Sequence, residues 1–158
     1  PPVWVEIPSD QKVYTRQKPI CVPPPIIPLD EHSSCPCNET RTFYSPSNPS
    51  FTRPCTIFTL TGALTSTIEL QQCPSAAARQ NRFIGPDPRH LGIFNFNNSL
   101  LFTHDLLDDY TNSYTKSEMP FASWVSILAD RYVAHQSPVA FVSDQILRNV
   151  WFSFINLQ

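Results

Sequence analysis

Seventeen prolines stand against three glycines in this chain of 158 residues, and thirteen of those prolines fall at or before Pro74. Proline fixes φ and removes an amide donor, so it interrupts a helix and is confined to edges or bulges in a sheet. The front half must therefore be extended and turn-rich, whereas the back half is free to form helices. That asymmetry predicts an α+β fold, β part first. The length suffices to bury one real core without covalent staples, so one domain is the prior.

Within that frame, "VWVEI" and "QKVYT" (residues 1 to 20) alternate like short strands, with Trp4 as an anchor. Residues 19 to 54 form a long proline-interrupted stretch, which a compact domain tolerates only if something constrains it. "CTIFTLTGALTSTIELQQC" (55 to 73) carries the clearest β signal, a hairpin turning near "TGAL". With the turn centred near Leu64, Cys55 and Cys73 would face each other at the open end. Three helical patterns follow. Ser99 would cap a run through Leu100, Leu101, Leu107, Tyr110 and Tyr114. Ser117 would open a second through Phe121, Trp124, Val125, Leu128 and Tyr132. Ser143 or Asp144 would open a third through Leu147, Val150, Trp151 and Phe154. Residues 1–75 thus read as a cysteine-cluster β part and 99–158 as a helical part of a single domain. The opening "PPVWVEIPSD" and the apolar close "WFSFINLQ" suggest a fragment of a larger protein.

The five cysteines bear most directly on function. An odd number fits a disulfide framework poorly and favours a reduced, intracellular setting. Structural zinc takes four soft or borderline ligands, drawn as two pairs from tight turns. Cys35 and Cys37 make one pair and the hairpin ends, Cys55 and Cys73, would make the other, in a zinc-ribbon-like order. Cys21 and His32 are the substitutes should Cys55 point into the core. Ala76 stands where a second C-x-x-C would need its cysteine. Two other readings stay open: a Cys55–Cys73 disulfide, and plain buried thiols packing as small hydrophobes. The sequons at Asn38 and Asn97 accompany the first, a secreted disulfide-bonded recognition domain carrying N-linked glycans.

Other residues nominate little chemistry. A net charge of −2, with 11 basic and 13 acidic residues, offers no basic face for phosphate backbones. No apolar run approaches the ~18 residues of a membrane span, so no membrane partner is expected. His104 and Asp108 fall one helical turn apart, the spacing of a base and its orienting acid, but a solvated or structural pair is the simpler reading. "RFIGPDPRHLG" reads as a salt-bridged loop, and "CVPPPIIP" as a stiff connector or a polyproline docking segment. There is no nucleophile elbow, phosphate loop or H-E-x-x-H motif. No catalytic residue is assigned.

The run "CTIFTLTGALTSTIELQQCP" followed by "HLGIFNFNNSLLFTHDLLDDY" resembles the cysteine-cluster modules found beside KDZ-type transposase domains and in the vertebrate HMG domain-containing protein 3 group. Those modules pair a "CPxC" knuckle with a two-stranded hairpin, an "HNFND"-like stretch and a leucine-rich helix. The resemblance implies a zinc-chelating, non-enzymatic module of a nuclear, transposon-derived protein. Its partner would be another protein, of unknown identity, and any DNA contact would run through other domains of the full-length chain. Cys35, Cys37 and Cys73 match knuckle positions. Ala76, and "FNFNN" in place of "HNFND", depart from the pattern.

Overall fold

The computed structural model describes residues 22, 24–35, 42–74 and 82–156. The expected strands within residues 1 to 20 lie outside them. Among the described residues eight strands come first: β1 (Ile26–Ile27), β2 (Ser34–Cys35), β3 (Thr42–Phe43), β4 (Ser50–Phe58), β5 (Ala63–Gln72), β6 (Phe83–Ile84), β7 (Ile93–Asn95) and β8 (Leu100–Thr103). A 3-10 turn, Pro88–Leu91, separates β6 from β7, and three helices complete the chain: α1 (His104–Ser117), α2 (Phe121–Ala134) and α3 (Asp144–Ile155). The result is a curled mixed sheet followed by three helices, the expected α+β order.

The β4–β5 hairpin is the spine, flanked by β1 and β6 beyond β5 and by β8 and then β7 beyond β4. Its turn lies earlier than the glycine suggested. Phe58 pairs with Ala63, and the Thr59 amide donates to the Gly62 carbonyl at 3.0 Å. Cys55 consequently pairs with Ser66, not Cys73. Strand β4 also starts before Pro54, which the sheet accepts because β8 joins β4 only from Thr56 onward. Between Ser50 and Pro54 the missing proline amide costs no bond on the β8 side.

A second departure concerns Leu100–Thr103. These residues form β8, parallel to β4, and α1 begins at His104, so Ser99 does not cap it. A short apolar run buried on both faces suits a parallel strand as well as a helix turn, and periodicity cannot separate the two. Ser117 ends α1 rather than opening α2, because Glu118 turns left-handed at φ 49° and Pro120 leads into α2. The third expectation holds: Ser143 caps α3, its Oγ accepting from the Ile146 amide at 3.4 Å.

The helices cover one face of the sheet at the hairpin-turn end. Phe58, Ala63 and Phe102 meet Leu106, Tyr110, Trp124, Tyr132 and Trp151 there. Polar tips lock this packing. The Tyr132 hydroxyl donates to the Thr59 carbonyl at 2.7 Å and the Trp151 indole to Thr111 Oγ1 at 2.9 Å. On the inside of the curl, Ile27, Cys55, Ile57, Ile68, Leu70, Ile93 and Leu101 form a second cluster. At the opposite end of the hairpin a third and smaller one gathers Leu29, Cys35, Cys73 and Ile84 against Tyr44.

Candidate functional site

That third cluster is where two of the expected knuckles converge. Before β2, a tight turn is closed by its own side chains: Asp30 Oδ1 accepts from the His32 amide at 3.1 Å and from Ser33 Oγ at 2.8 Å, while the Asp30 amide donates to Ser33 Oγ. Such Asx-type closure sets the entry of β2 without a glycine. Residue alternation along β2 then buries Ser33 and Cys35 and leaves His32 outside. Cys73 arrives from the end of β5, its amide donating to the Arg82 carbonyl at 3.1 Å. A bridge between Ser34 and Gly85 ties β2 to the chain leaving β6. Cys35 and Cys73 thus share one buried cluster, each followed in sequence by a proline, Pro36 and Pro74.

Two side chains missed by sequence reasoning hold this end together. Gln71, only 1% exposed, accepts from the Ser45 amide at 3.1 Å and donates to the carbonyls of Ser45 (2.8 Å) and Asn48 (3.0 Å). Glu69 accepts from the Leu29 amide at 3.1 Å and from Ser50 Oγ at 2.6 Å. One side chain thereby replaces the ladder bonds that the 44–49 turn lacks, and the other fastens the proline-rich arm to β5. Alternation gave no signal for them, since Gln71 and Glu69 fall on the phase opposite the buried Ile68 and Leu70.

The other sulfur candidates are placed differently. Cys55 lies in the cluster inside the curl, and Cys73 is seven residues beyond its partner Ser66, about 23 Å along the strand. The expected opposition of Cys55 and Cys73 is therefore corrected. A disulfide between them, which needs Cα atoms within about 7 Å, goes with it. Burial pushes the Cys55 thiol up to about 11, against the smaller opposing effect of its hydrogen bond with Ser66. It behaves as a core residue. His32 is exposed, and its Nε2 lies 3.7 Å from Glu31 Oε1 on the solvent side. Cys21, Cys37 and position 76 lie outside the described residues. Among the described residues, no three His, Cys, Asp or Glu side chains gather as a metal-holding group. The chemistry on offer is two soft sulfur donors buried in one cluster, to which Cys37, two residues from Cys35, is the nearest addition in sequence.

The remaining sequence candidates resolve as structure. His104 opens α1 buried against Phe154, ring centroids 5.4 Å apart, and burial holds its pKa below the ordinary imidazole value. Asp108 is half-buried one turn later. Arg89 Nε donates to both oxygens of Asp87, at 2.9 and 2.8 Å, forming the expected salt-bridged loop. In the proline-rich arm, Ile26 and Ile27 add β1 parallel to β5, so this part of the segment is a strand. Of the two sequons, Asn38 lies outside the described residues and Asn97 is exposed, its Oδ1 accepting from the amides of Ser99 and Leu100. Trp124 and Trp151 are both core residues.

Comparison with known proteins bears on the same region. A family model described as "CxC4 like cysteine cluster associated with KDZ transposases" matches residues 17–154. No curated protein and no solved structure matches the chain.

Proposed function

Because the chain belongs to the family of CxC4 like cysteine clusters associated with KDZ transposases, we propose that it is a zinc-stabilised, non-catalytic accessory module of a nuclear, transposon-derived protein, akin to the modules of the HMG domain-containing protein 3 group. Cys35, Cys37 and Cys73 are its sulfur ligands. The observation that carries this reading is the burial of Cys35 and Cys73 in one small cluster. Both sit at strand ends, Cys35 closing β2 and Cys73 following β5, and structural zinc sites draw ligands in pairs from such places. Zinc would supply cohesion and no reaction step. Its partner is a protein, and contact with DNA belongs to other domains of the full-length chain.

The energetics support a structural role. Zinc coordination contributes about 10–16 kcal/mol in small modules. Leu29, Ile84 and a half-buried Tyr44 offer far less apolar burial than that. Native mass spectrometry of the chain, with and without a chelator, provides the test. One zinc mass should be lost on chelation, and amide exchange should then rise first in residues 24–35 and 42–54, with the helices last. A chain that carries no metal, and whose exchange pattern ignores chelator, overturns the reading.

A further inference from the structure

The stretch "FNFNN", Phe94 to Asn98, carries the chain out of β7 and towards β8. Asn95 Oδ1 accepts from the Asn98 amide at 2.8 Å, and Asn98 takes the left-handed conformation, φ 62°, that asparagine tolerates better than most residues. The Ser99 carbonyl accepts from the Thr56 amide at 2.9 Å, which fixes the turn to β4. Asn95 Nδ2 donates to Asn98 Oδ1 at 2.8 Å and to the Pro86 carbonyl at 3.0 Å. The second bond leaves the turn and holds the chain coming out of β6. Gly85, one residue earlier, packs on the Asn98 side chain. Its φ is not left-handed, so space rather than conformational freedom requires a glycine: a Cβ there would lie 2.7 Å from Asn98 Cγ and closer still to Oδ1. Gly85 also bridges Ser34 in antiparallel register. Among the described residues, that bridge is where the two-stranded β2–β3 sheet meets the larger sheet. One step along the register sets Cys35 opposite Ile84, and both belong to the buried cluster that holds Cys73.

We infer that Asn95 and Asn98 are positioning residues for Cys35: they clamp Gly85 and Pro86 against the β7–β8 turn, and the backbone edge so fixed is the one on which β2 docks. Their influence runs through Gly85 and Ser34. This role goes beyond the zinc reading, because it governs whether Cys35 enters the buried cluster and asks nothing of a metal. It also sets Cys35 apart from Cys55, which the β4–β5 register buries inside the curl.

Alkylation of the native, full chain by iodoacetamide, with the rate at each cysteine resolved by peptide mass spectrometry, tests this. Asn98→Gly keeps the left-handed turn and deletes only the side chain. Cys35 should then label about five- to tenfold faster, the effect of lost hydrogen bonds on local opening, while Cys55 stays within about twofold. Asn98→Asp still accepts from Asn95 and should hold the unmutated rate. Gly85→Ala should speed Cys35 by more than about tenfold, because the new methyl overlaps the Asn98 amide. Adding Asn98→Gly to Gly85→Ala should slow Cys35 again, since the space has been cleared. That reversal separates positioning from a general loss of stability. An unchanged Cys35 rate in Asn98→Gly, an Asn98→Asp rate as fast as that of Asn98→Gly, Cys35 and Cys55 rising together, or a double variant no slower than Gly85→Ala overturns the assignment. Asn98→Gly and Asn98→Asp decide it should Gly85→Ala not fold. Zinc is read separately, by native mass, so this role and the zinc reading fail independently.

Discussion

The two ends of the β4–β5 hairpin are held by different means. At the turn end, Tyr110 alone meets Phe121, Trp124 and Trp151 with ring centroids 4.4, 5.3 and 5.4 Å away. Each such side chain, fully buried, stabilises by about 1.5–3 kcal/mol. At the cysteine end the buried set is Leu29, Cys35, Cys73 and Ile84, and the turns around it are held by Asp30, Ser33, Glu69 and Gln71. Ordering a backbone residue costs about 1–2 kcal/mol, so the four apolar groups described there contribute less than the aromatic packing at the turn end. One end is a packed core in its own right. The other, among the described residues, is a small apolar cluster held mainly by side-chain clamps, and two of the cysteines lie in it.

The contrast can be broken from either side. Trp124→Ala should have the largest effect, about 3–5 kcal/mol, because it opens a void beneath Tyr110 and leaves Asp109 without the indole donor that it accepts from at 3.2 Å. Urea unfolding followed by circular dichroism measures the loss. Amide exchange should rise more in α1, α2 and α3 than around Cys35 in the metal-loaded chain. Equal rises at both ends would make the hairpin one cooperative unit and dissolve the distinction. Gln71→Leu probes the other side at a smaller cost, about 1–3 kcal/mol, since the Ser45 amide and two carbonyls lose a buried partner. Here the exchange change should centre on residues 42–50 and spare the helices.

Much of this division was legible in the residues. The proline imbalance correctly separated a β part from a helical one, and Trp124, Leu128, Tyr132, Leu147, Val150, Trp151 and Phe154 fell on buried faces as their spacing required. What failed shares one physical cause: local pattern does not encode register. In "TLTGALT" the turn closes at Thr59–Gly62 rather than around Leu64, with Thr59 Oγ1 donating to the Gly62 carbonyl, a side-chain choice that hydrophobic alternation does not reveal. The Ala63 amide is further held by Ser137 Oγ, 74 residues away. That shift moved Cys55 away from Cys35 and Cys73 and into the inner cluster. Likewise Leu100–Thr103 became a strand because β4 had an edge to offer from Thr56 onward. At the site, Cys35 and Cys73 were legible from spacing and the following prolines. The Gln71 and Glu69 clamps were not, since their partners lie 23 or more residues away in sequence, save for Ser50 at 19.

The smallest expected effect sharpens the contrast between a sulfur used for packing and the sulfurs proposed for coordination. Burial raises the Cys55 thiol from 9.0 to about 11, so the folded chain keeps that proton where the unfolded chain has released it. A group raised on folding contributes stability that is fully present below its unfolded value and lost as pH rises through the folded one. The window is therefore pH 9 to 11. Across it, the unmutated chain should lose on the order of 1 kcal/mol more than Cys55→Val, below the full value of a two-unit shift because the site relaxes on ionisation. Tyr132, also raised by burial, titrates in both proteins and cancels in the difference. Cysteines that bind a metal behave in the opposite sense, because coordination removes their protons and binding strengthens as pH rises through the thiol range. Parallel urea titrations at pH 8.5 and 10.5 on the two chains separate these cases. A difference of the opposite sign, with the unmutated chain gaining on Cys55→Val as pH rises, would show that Cys55 loses its proton in the fold and belongs with the coordinating set after all.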